Sequence, residues 1–374
     1  MKAFTLKIFI KDCSIMNSFN HSSLPVLAPL EQFYALTREY ELSELESMTP
    51  AQIKALISST QLPSMIVPKE FGGLEMPMKD ALEVVYSVAM ICPSAALMLC
   101  MHFHVVSTIS MYPNSFQFAG PLLKDISENN ALVASAFAES SGNQDIFHTS
   151  VAATSTEEDY IIISGSKKPC TMSHVADYFA VSIITAEGIP GVAIVSNGSE
   201  GLERKPFWPG DILKSTDSHE VIFNNVIVPN EWSVLAQDDS FEMYLSTGLV
   251  NFNLFIGAAY TGVCKSLVGR LNPAALQAPS IFIPVTGTLA QCRYSVCGLS
   301  HKVAPENLEW LVPEVLSLRY QIQKSLKDVR NIVFESIGAH KYLSDDTAHY
   351  LSRTIDLLAF HPVTQFGFEQ QLKN

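Results

Sequence analysis

The sequence predicts an α+β protein in which a helical segment, a β-rich segment and a second helical segment follow one another along the chain. Two changes of residue pattern carry this prediction. From Ala131, short runs rich in Val, Ile, Tyr and Phe alternate with turn residues, and after Trp232 apolar residues again recur at helical spacing. We therefore expect an N-terminal extension over residues 1–26, an α-helical domain over 27–130, a β domain over 131–236 and a C-terminal helical bundle over 237–374.

The composition is typical of a soluble protein with a large core. A chain of 374 residues, 48% of them hydrophobic, buries enough apolar surface to fold as one large domain or as two to three subdomains. Its net charge of −13 argues against a nucleic-acid partner, because phosphate binding needs clustered Lys and Arg. The seven cysteines form no C-x-x-C pair and are odd in number, which indicates reduced thiols in a cytoplasmic protein without a metal site.

The first helices are expected between residues 27 and 60, where Thr49-Pro50 has the cap-and-proline pattern of a helix start. Further along, Val84–Tyr112 carries no Asp, Glu, Lys or Arg and is long enough to span a bilayer. Pro93 lies inside this stretch, however, and proline breaks the hydrogen-bond ladder of a helix. We therefore interpret the stretch as two core helices that meet near Cys92-Pro93 and expect no membrane association.

Four strand-like runs lie in the middle of the chain: Tyr160–Ile163, Tyr178–Ile184, Gly191–Val195 and Val221–Val228. Before them, the apolar run Ala131–Phe137 leads into a polar loop, Ala138–Asp145. A strand, a small-residue loop and a strand leading into a Thr-bearing turn suit a pocket of amides and hydroxyls around a flat polar ligand. The same pattern also occurs in ordinary hairpin connections, so the residues alone leave both interpretations open.

The C-terminal third predicts a four-helix bundle. Apolar residues recur at helical spacing from Leu249 to Val263 and again from Leu316 to Ile337, and Thr347–Phe360 is expected to form the last helix. Three prolines indicate a loop before a further helix around Thr288–Leu299: Pro273, Pro279 and Pro284.

Several of these segments resemble the acyl-CoA dehydrogenase superfamily. The polar loop and the strands after it resemble its Thr-Glu-Pro-x-x-Gly-Ser-Asp, Gly-x-Lys-x-Trp-Ile-Thr-Asn and Ala-Asp segments. The matching residues are Glu139, Asp145, Gly165, Lys167, Thr171, Ala176 and Asp177. Lys214–Pro229 resembles Arg-x-Thr-x-Ser-x-x-Val-x-Phe-x-x-Val-x-Val-Pro, and Val67–Leu74 resembles Val-Pro-x-x-Phe-Gly-Gly. The resemblance implies an N-terminal helical domain, a middle β-barrel or sandwich domain and a C-terminal four-helix bundle.

The resemblance also implies a flavin cofactor, FAD or FMN. In the family the middle segments hold the isoalloxazine and the pyrophosphate of FAD. The chain departs from the family at Ala138 and Pro169, where the family has the loop Thr and the Trp that flanks the flavin. The residues that the resemblance implies for cofactor binding are Phe137, Glu139, Gly142, Asp145, Cys170, Thr171 and Ser173.

A dehydrogenase of this family oxidises an acyl thioester carried by CoA or a carrier protein and needs a carboxylate base. At one family position for that base, Leu249–Leu254 contains no acid. Near the other, Asp345 and Asp346 precede a helix, where acids are typical of an N-cap, and Asp346 is the candidate base. The family's Arg-x-x-Phe-Gly segment, which reaches the FAD of a neighbouring subunit, has no counterpart. We expect a homodimer or homotetramer formed through the bundle.

One branch of the superfamily consists of two-component monooxygenases, which take reduced flavin from a separate reductase and react it with oxygen. Cys170-Thr171, Arg353–Asp356 and Phe360-His361-Pro362 resemble segments of that branch, in which a His and a hydroxyl residue position the flavin hydroperoxide or the substrate. The resemblance implies His361 and His104 as catalytic residues. The candidate substrate-binding residues are His102, Ser141 and Thr216. His104 on an apolar helix is otherwise a core residue, and His361 before Pro362 is otherwise a helix terminator.

Three functions remain open from the sequence. The leading one is a flavin-dependent dehydrogenase that acts on an acyl thioester. The first alternative is a reduced-flavin monooxygenase that depends on a flavin reductase. The second alternative is a non-catalytic relative that has kept the fold and binds an acyl thioester or a partner protein.

Overall fold

The computed structural model describes residues 27–139, 149–238, 240–371 and 373. Helices come first along this part of the chain, then one mixed sheet, then helices again, which confirms the predicted fold class. The proposed extension over residues 1–26 lies outside the described residues, and the domain boundaries stay predictions.

The N-terminal helices begin with a capped segment. Their bounds are α1 Ala28–Thr37, α2 Leu42–Glu46, α3 Pro50–Ser58, α4 Met78–Ile91, α5 Pro93–Met111 and α6 Ala119–Asn129. The Thr49 hydroxyl accepts the backbone N–H of Gln52 at 3.3 Å, and the Gln52 side chain accepts the backbone N–H of Thr49 at 2.9 Å. This capping box, with Pro50 in the first turn, confirms the predicted helix start.

The long uncharged stretch forms two helices that meet at Cys92, which is extended, and Pro93, which begins α5. Within the described residues, α5 is the one helix long and apolar enough to cross a membrane, and 72% of its most apolar window is buried inside the protein. It packs against α4, against the first strand of the sheet and against the first helix of the C-terminal block. These contacts confirm the interpretation of α5 as a core helix.

The middle segment forms one eight-stranded sheet. Its strands are β1 Val133–Ala136, β2 Ala152–Ser155, β3 Tyr160–Cys170, β4 Tyr178–Thr185, β5 Pro190–Ser196, β6 Leu202–Lys205, β7 His219–Pro229 and β8 Ser233–Leu235. The order is β6-β7-β3-β2-β4-β5-β8, with β1 parallel to β4. All four predicted runs are strands. The sequence did not predict β2, β6 and β8, which have three or four residues each and little alternation.

The C-terminal helices are α7 Ser240–Val268, α8 Pro273–Gln277, α9 Pro279–Ser300, α10 Leu308–Ser336, α11 Ala339–Ser344, α12 Asp346–Asp356 and α13 Gln365–Gln371. Helices α7, α9, α10 and α12 pack together as the predicted bundle. Helix α7 also packs on α4 and α5, so it belongs to both helical blocks. A Cβ at Gly262 would lie 2.2 Å from the Tyr86 carbonyl oxygen, so the approach of α7 to α4 requires glycine there.

Two expectations for this segment were wrong. The stretch from Pro273 to Pro284 is helical and not a loop. Pro273 and Pro279 begin α8 and α9, where the missing N–H of proline would have no partner within the helix. Pro284 lies inside α9. The helix predicted as the last one, Thr347–Phe360, is α-helical only as far as Asp356, and Leu357–Phe360 form a 3₁₀ turn. A further helix, α13, follows it. The six described cysteines are free, as expected.

The buried carboxylate of Glu46 connects the N-terminal helices, the loop before β7 and the C-terminal bundle. Glu46, at the end of α2, is 9% exposed and accepts the backbone N–H of Ser94 at 2.9 Å and its hydroxyl at 2.6 Å. The Tyr350 hydroxyl of α12 also donates to Glu46, and it accepts the N–H of Leu213 from the loop before β7 at 3.1 Å. Glu46 therefore caps the N-terminus of α5 and joins the bundle to the loop before β7.

We expect Glu46→Ala to lower the free energy of unfolding by about 3 kcal/mol, because it leaves the Ser94 and Tyr350 donors buried without an acceptor. Urea denaturation followed by circular dichroism measures this loss. Glu39→Ala is the matched control, since Glu39 is 81% exposed in a surface pair with Arg38 and its loss should change stability by less than about 0.5 kcal/mol. Equal stability losses in the two variants would contradict the role of Glu46.

Candidate active site

A cavity of about 250 Å³ lies where α5, α7, the sheet and the turn after α12 meet. Helix α5 contributes Leu97, Met101, His104, Val105 and Thr108, and α7 contributes Tyr244, Gly248, Phe252 and Tyr260. The sheet and its loops contribute Ser135, Phe137, Pro169, Thr171, Thr216 and Ser218, and the turn contributes Phe360, His361 and Pro362. None of the described residues that line the cavity is Asp, Glu, Lys or Arg. The cavity wall is therefore largely apolar, and its polar side-chain groups are hydroxyls, imidazoles and the indole N–H of Trp208, which donates to the Ile212 carbonyl at 2.9 Å.

His104 gives the helical wall of the cavity an imidazole without a hydrogen-bond partner. Its side chain is 7% exposed, and neither ring nitrogen is hydrogen-bonded. Burial lowers the pKa of His104 to about 3, so the ring is neutral at physiological pH. The edge of the ring meets Phe252 at a centroid distance of 5.4 Å. An unsatisfied buried imidazole next to a cavity is an available polar contact for a bound molecule.

His102, two residues earlier, lies in the core and not at the cavity. Its Nδ1 accepts the N–H of Val133 at 3.0 Å, which leaves Nε2–H to donate to the Pro63 carbonyl at 2.9 Å. Burial lowers its pKa to about 4. The expectation that His102 binds substrate is therefore corrected: two residues along a helix face different directions, and it is His102 that is the satisfied core histidine.

His361 faces the cavity from the turn after α12. Its Nε2 lies 2.8 Å from the hydroxyl of Tyr260, and its ring is 5.9 Å from that of Phe252. Burial, reinforced by the charge of Arg319, lowers the pKa of His361 to about 3, and burial raises the pKa of Tyr260. Both groups are therefore neutral near pH 7. If the Tyr260 hydroxyl donates to Nε2, then Nδ1 carries the single N–H of the imidazole.

Three hydroxyl groups form a connected cluster on the sheet side of the cavity. The Thr171 hydroxyl lies 2.9 Å from that of Ser218, which lies 2.8 Å from that of Thr216. The Thr216 hydroxyl donates to the Leu213 carbonyl at 2.7 Å, which orients the cluster. Thr171, Thr216 and Phe137, which are predicted to contact a cofactor or substrate, line the cavity together with Ser218.

Cys170 and Ser173 do not line the cavity, contrary to expectation. The Cys170 thiol is fully buried and directed at the Ser135 carbonyl at 3.7 Å, and burial raises its pKa to about 12. Ser173 is buried on the other side of the turn, where its hydroxyl lies 3.1 Å from Nδ1 of His174. Successive residues of an extended chain point to opposite sides, so Thr171 lines the cavity directly after β3 and Cys170, the last residue of β3, lies in the core.

Lys167 donates hydrogen bonds to Glu139, at the start of the polar loop, and to Thr149, which follows the loop. Its side chain is fully buried, and Nζ donates to Glu139 at 2.5 Å, to the Thr149 hydroxyl at 2.8 Å and to the Ser182 hydroxyl at 2.8 Å. Glu139 is therefore the ion-pair partner of this lysine and is not among the described residues that line the cavity, and its role in cofactor binding stays a prediction. The other candidates in the loop lie outside the described residues: Ser141, Gly142 and Asp145.

Asp346 is not placed to act as a base. It is exposed in the first turn of α12 and does not line the cavity. Its neighbour Asp345 caps the same helix by accepting the N–H of Ala348 at 3.0 Å, and it pairs with Arg270 at 2.8 Å. These contacts confirm the N-cap interpretation of the acidic pair and correct the assignment of Asp346 as a catalytic residue.

Tyr260 is a site residue that sequence reasoning missed. It lies in the middle of α7 among apolar residues and has the pattern of an ordinary core position. The only sequence signal for it was a hydroxyl-bearing aromatic residue on a buried helix face, since a buried Tyr usually has a hydrogen-bond partner.

Comparison with known proteins places the chain among oxidoreductases. No family model matches it. Isobutylamine N-hydroxylase of Streptomyces viridifaciens is 26% identical over 354 residues, which cover 90% of each chain. Cyclohex-1-ene-1-carbonyl-CoA dehydrogenase of Syntrophus aciditrophicus is 25% identical and covers 62% of this chain and 56% of its own length.

A solved structure shows the same fold over nearly the whole chain. FMN-bound TdsC, the dibenzothiophene monooxygenase of Paenibacillus sp. A11-2, superposes with a TM-score of 0.78 at 16% identity and covers 91% of this chain and 95% of its own. The FMN in that protein agrees with the expectation of a flavin, FAD or FMN, for this fold. The chain is an oxidoreductase, and its sequence and fold are similar to those of acyl-CoA dehydrogenase-like flavin enzymes.

Proposed function

We propose that the protein is a monooxygenase that uses reduced flavin from a separate reductase to insert an oxygen atom into a small neutral substrate. The observation that carries the proposal is the absence of a charged side chain from the described cavity wall. A dehydrogenase that acts on an acyl thioester needs a carboxylate within reach of the substrate α-carbon. Neither Leu249–Leu254 nor Asp346 provides one. The similarity to an N-hydroxylase over 90% of the chain supports oxygen transfer.

The cavity wall offers contacts that suit a reduced flavin and an apolar substrate. The hydroxyl protons of Thr171, Ser218 and Thr216 are used along one chain of hydrogen bonds that ends at the Leu213 carbonyl, so the three oxygens offer acceptors to the N–H groups of a flat ring system. Phe137 covers an adjacent part of the wall. A reduced flavin bound there supplies the two electrons with which one oxygen atom of O₂ is transferred to the substrate and the other is released as water. The unsatisfied nitrogens of His104 lie in the same cavity and offer a contact to either molecule.

His361 and Tyr260 provide the proton chemistry of the proposal. A neutral imidazole whose Nε2 is occupied by Tyr260 presents Nδ1–H as a donor of fixed orientation. Such a donor stabilises negative charge that develops on an oxygen atom beside it. The apolar residues of α5 and α7 exclude water from the reacting atoms, which strengthens these hydrogen bonds.

The neutral cavity restricts the substrate class. An ammonium group would enter without a described carboxylate to pair with it, and burying an unpaired charge is costly. An amine substrate is therefore bound and oxidised as the free base, whose lone pair is needed for N-oxygenation. Cytoplasmic location and a homodimer or homotetramer formed through the bundle are further parts of the proposal.

Flavin binding tests the cofactor assignment. We expect FMN to bind the purified protein more tightly when reduced than when oxidised, by roughly tenfold or more, because the reduced ring carries an N5–H that can donate to a cavity hydroxyl and the oxidised ring does not. Anaerobic titration followed by flavin fluorescence measures both affinities, and FAD provides the comparison. Tight stoichiometric binding of oxidised FAD would favour the dehydrogenase, and binding of neither form would favour the non-catalytic relative.

Replacing the imidazole tests the assignment of His361. We expect His361→Asn to reduce product formation roughly 100-fold, since a positioned proton donor contributes on that order, while hydrogen peroxide is released instead of product. Tyr260→Phe should act in the same direction with a smaller loss. Product and peroxide are quantified per NADH consumed with an added flavin reductase. His301→Asn at the exposed end of α9 is the control. Unchanged coupling in both site variants would refute the role of His361.

A further inference from the structure

Arg319 of α10 is a buried charge without an opposite charge. It is 1% exposed and is the largest fully buried side chain among the described residues. No carboxylate in the described part of the chain pairs with it, whereas Arg270, Arg293 and Arg330 each have one. A buried unpaired cation opposes folding, so its environment must satisfy it in another way.

The partners of Arg319 are consecutive backbone carbonyls of the turn that carries His361. Nη1 donates to the carbonyl of His361 at 2.9 Å and to that of Pro362 at 3.4 Å, and Nη2 donates to that of Val363. The next residue of α10, Tyr320, donates its hydroxyl to the carbonyls of Val363 at 3.0 Å and Thr364 at 3.3 Å. Its ring lies 4.8 Å from the guanidinium carbon.

Arg319 and Tyr260 contact different parts of His361. The backbone of residue 361 is held by Arg319, and its imidazole is held by Tyr260 of α7. Val363 is buried against α7 and α10, whereas Phe360, one residue before His361, is 73% exposed. The arginine fork and Tyr320 thus supply the polar attachment of residues 361–364 to the bundle.

We propose that Arg319 is a positioning residue, which fixes the backbone of residues 361–363 so that the His361 imidazole enters the cavity in a single orientation. The planar fork of a guanidinium donates along several directions at once, whereas a lysine ammonium is a flexible point charge that cannot span three carbonyls. The consequence for catalysis rests on the proposed function, but the structural claim does not.

The same charge acts on the protonation of His361. Tyr244 and Tyr260 of α7, Arg319 and Tyr320 of α10, and His104 of α5 are the titratable or charged described groups that face His361 or share its cavity. Arg319 is the cation of this set, which contains no carboxylate. The cation adds to burial in holding the pKa of His361 low, which keeps the imidazole neutral.

Three variants of the full chain without flavin test the proposal. Arg319→Gln removes the fork and the charge, and Arg319→Lys keeps the charge without the fork. Arg293→Gln is the matched control, since Arg293 lies on another bundle helix, α9, and pairs with Glu83 of α4 and not with a residue of the turn. Hydrogen exchange by mass spectrometry reports on residues 357–368. NMR titration of the His361 imidazole, assigned from its loss in His361→Asn, reports its pKa.

We expect at least tenfold faster exchange of residues 357–368 in both Arg319 variants, relative to the rest of the chain. The His361 pKa should rise by one unit or more in Arg319→Gln and stay low in Arg319→Lys, and Arg293→Gln should change neither the exchange nor this pKa. Exchange that rises equally throughout the protein, with unchanged titration of His361, would overturn the proposal. If Arg319→Gln does not fold, the exchange of Arg319→Lys decides. The exchange and titration measurements do not require a reaction. A wild-type protein without oxygenase activity would therefore contradict the proposed function but not the positioning role of Arg319.

Discussion

The close packing of α7 on α4 is the constraint on which the rest of the structure depends. Gly262 lets the two helix backbones approach where any side chain would meet the Tyr86 carbonyl. Because α7 also forms part of the C-terminal bundle, this contact fixes the bundle relative to the N-terminal helices. Phe252 and Tyr260, two of the α7 residues that line the cavity, are therefore held on a rigid element. The Glu46 carboxylate adds a polar connection between the same parts of the molecule.

The described wall of the cavity has imidazole and hydroxyl groups but no carboxylate, and this composition determines which reactions the cavity suits. A carboxylate base would make the site suitable for removing a proton next to a thioester carbonyl, and none lines the described wall. What remains are two imidazoles kept neutral by burial, a hydroxyl cluster and apolar surface. Neutral donors in a dry cavity suit the transfer of oxygen to an uncharged molecule, and they remain neutral across the physiological pH range.

The sequence predicted the helix–sheet–helix order and the long elements, because their apolar periodicity extends over many residues. It missed β2, β6 and β8, whose pairing depends on neighbouring strands and not on their own residues. The prolines of residues 273–284 were interpreted as a loop, since a proline at a helix start has the same local pattern as one in a turn.

The candidate site was predictable only where a motif or an unusual residue marks it. Thr171 and Thr216 lie in segments that match the superfamily, and His104 and His361 are imidazoles in apolar surroundings. The choice between His102 and His104 depends on which of them the core satisfies, and that follows from the Val133 and Pro63 contacts across the fold. Tyr260 and Arg319 act through contacts with residues 101 and 42 to 44 positions further along the chain, which no local pattern reveals.

The most direct measurement of the central claim is isotope incorporation during turnover with reduced FMN, a flavin reductase and a small amine as the free base or an uncharged sulfide. Under ¹⁸O₂, the account predicts one ¹⁸O atom in each product molecule and one in water. It also predicts that no product forms without O₂. A product that has lost two hydrogen atoms and gained no ¹⁸O, formed equally well with an artificial electron acceptor in place of O₂, would contradict the account.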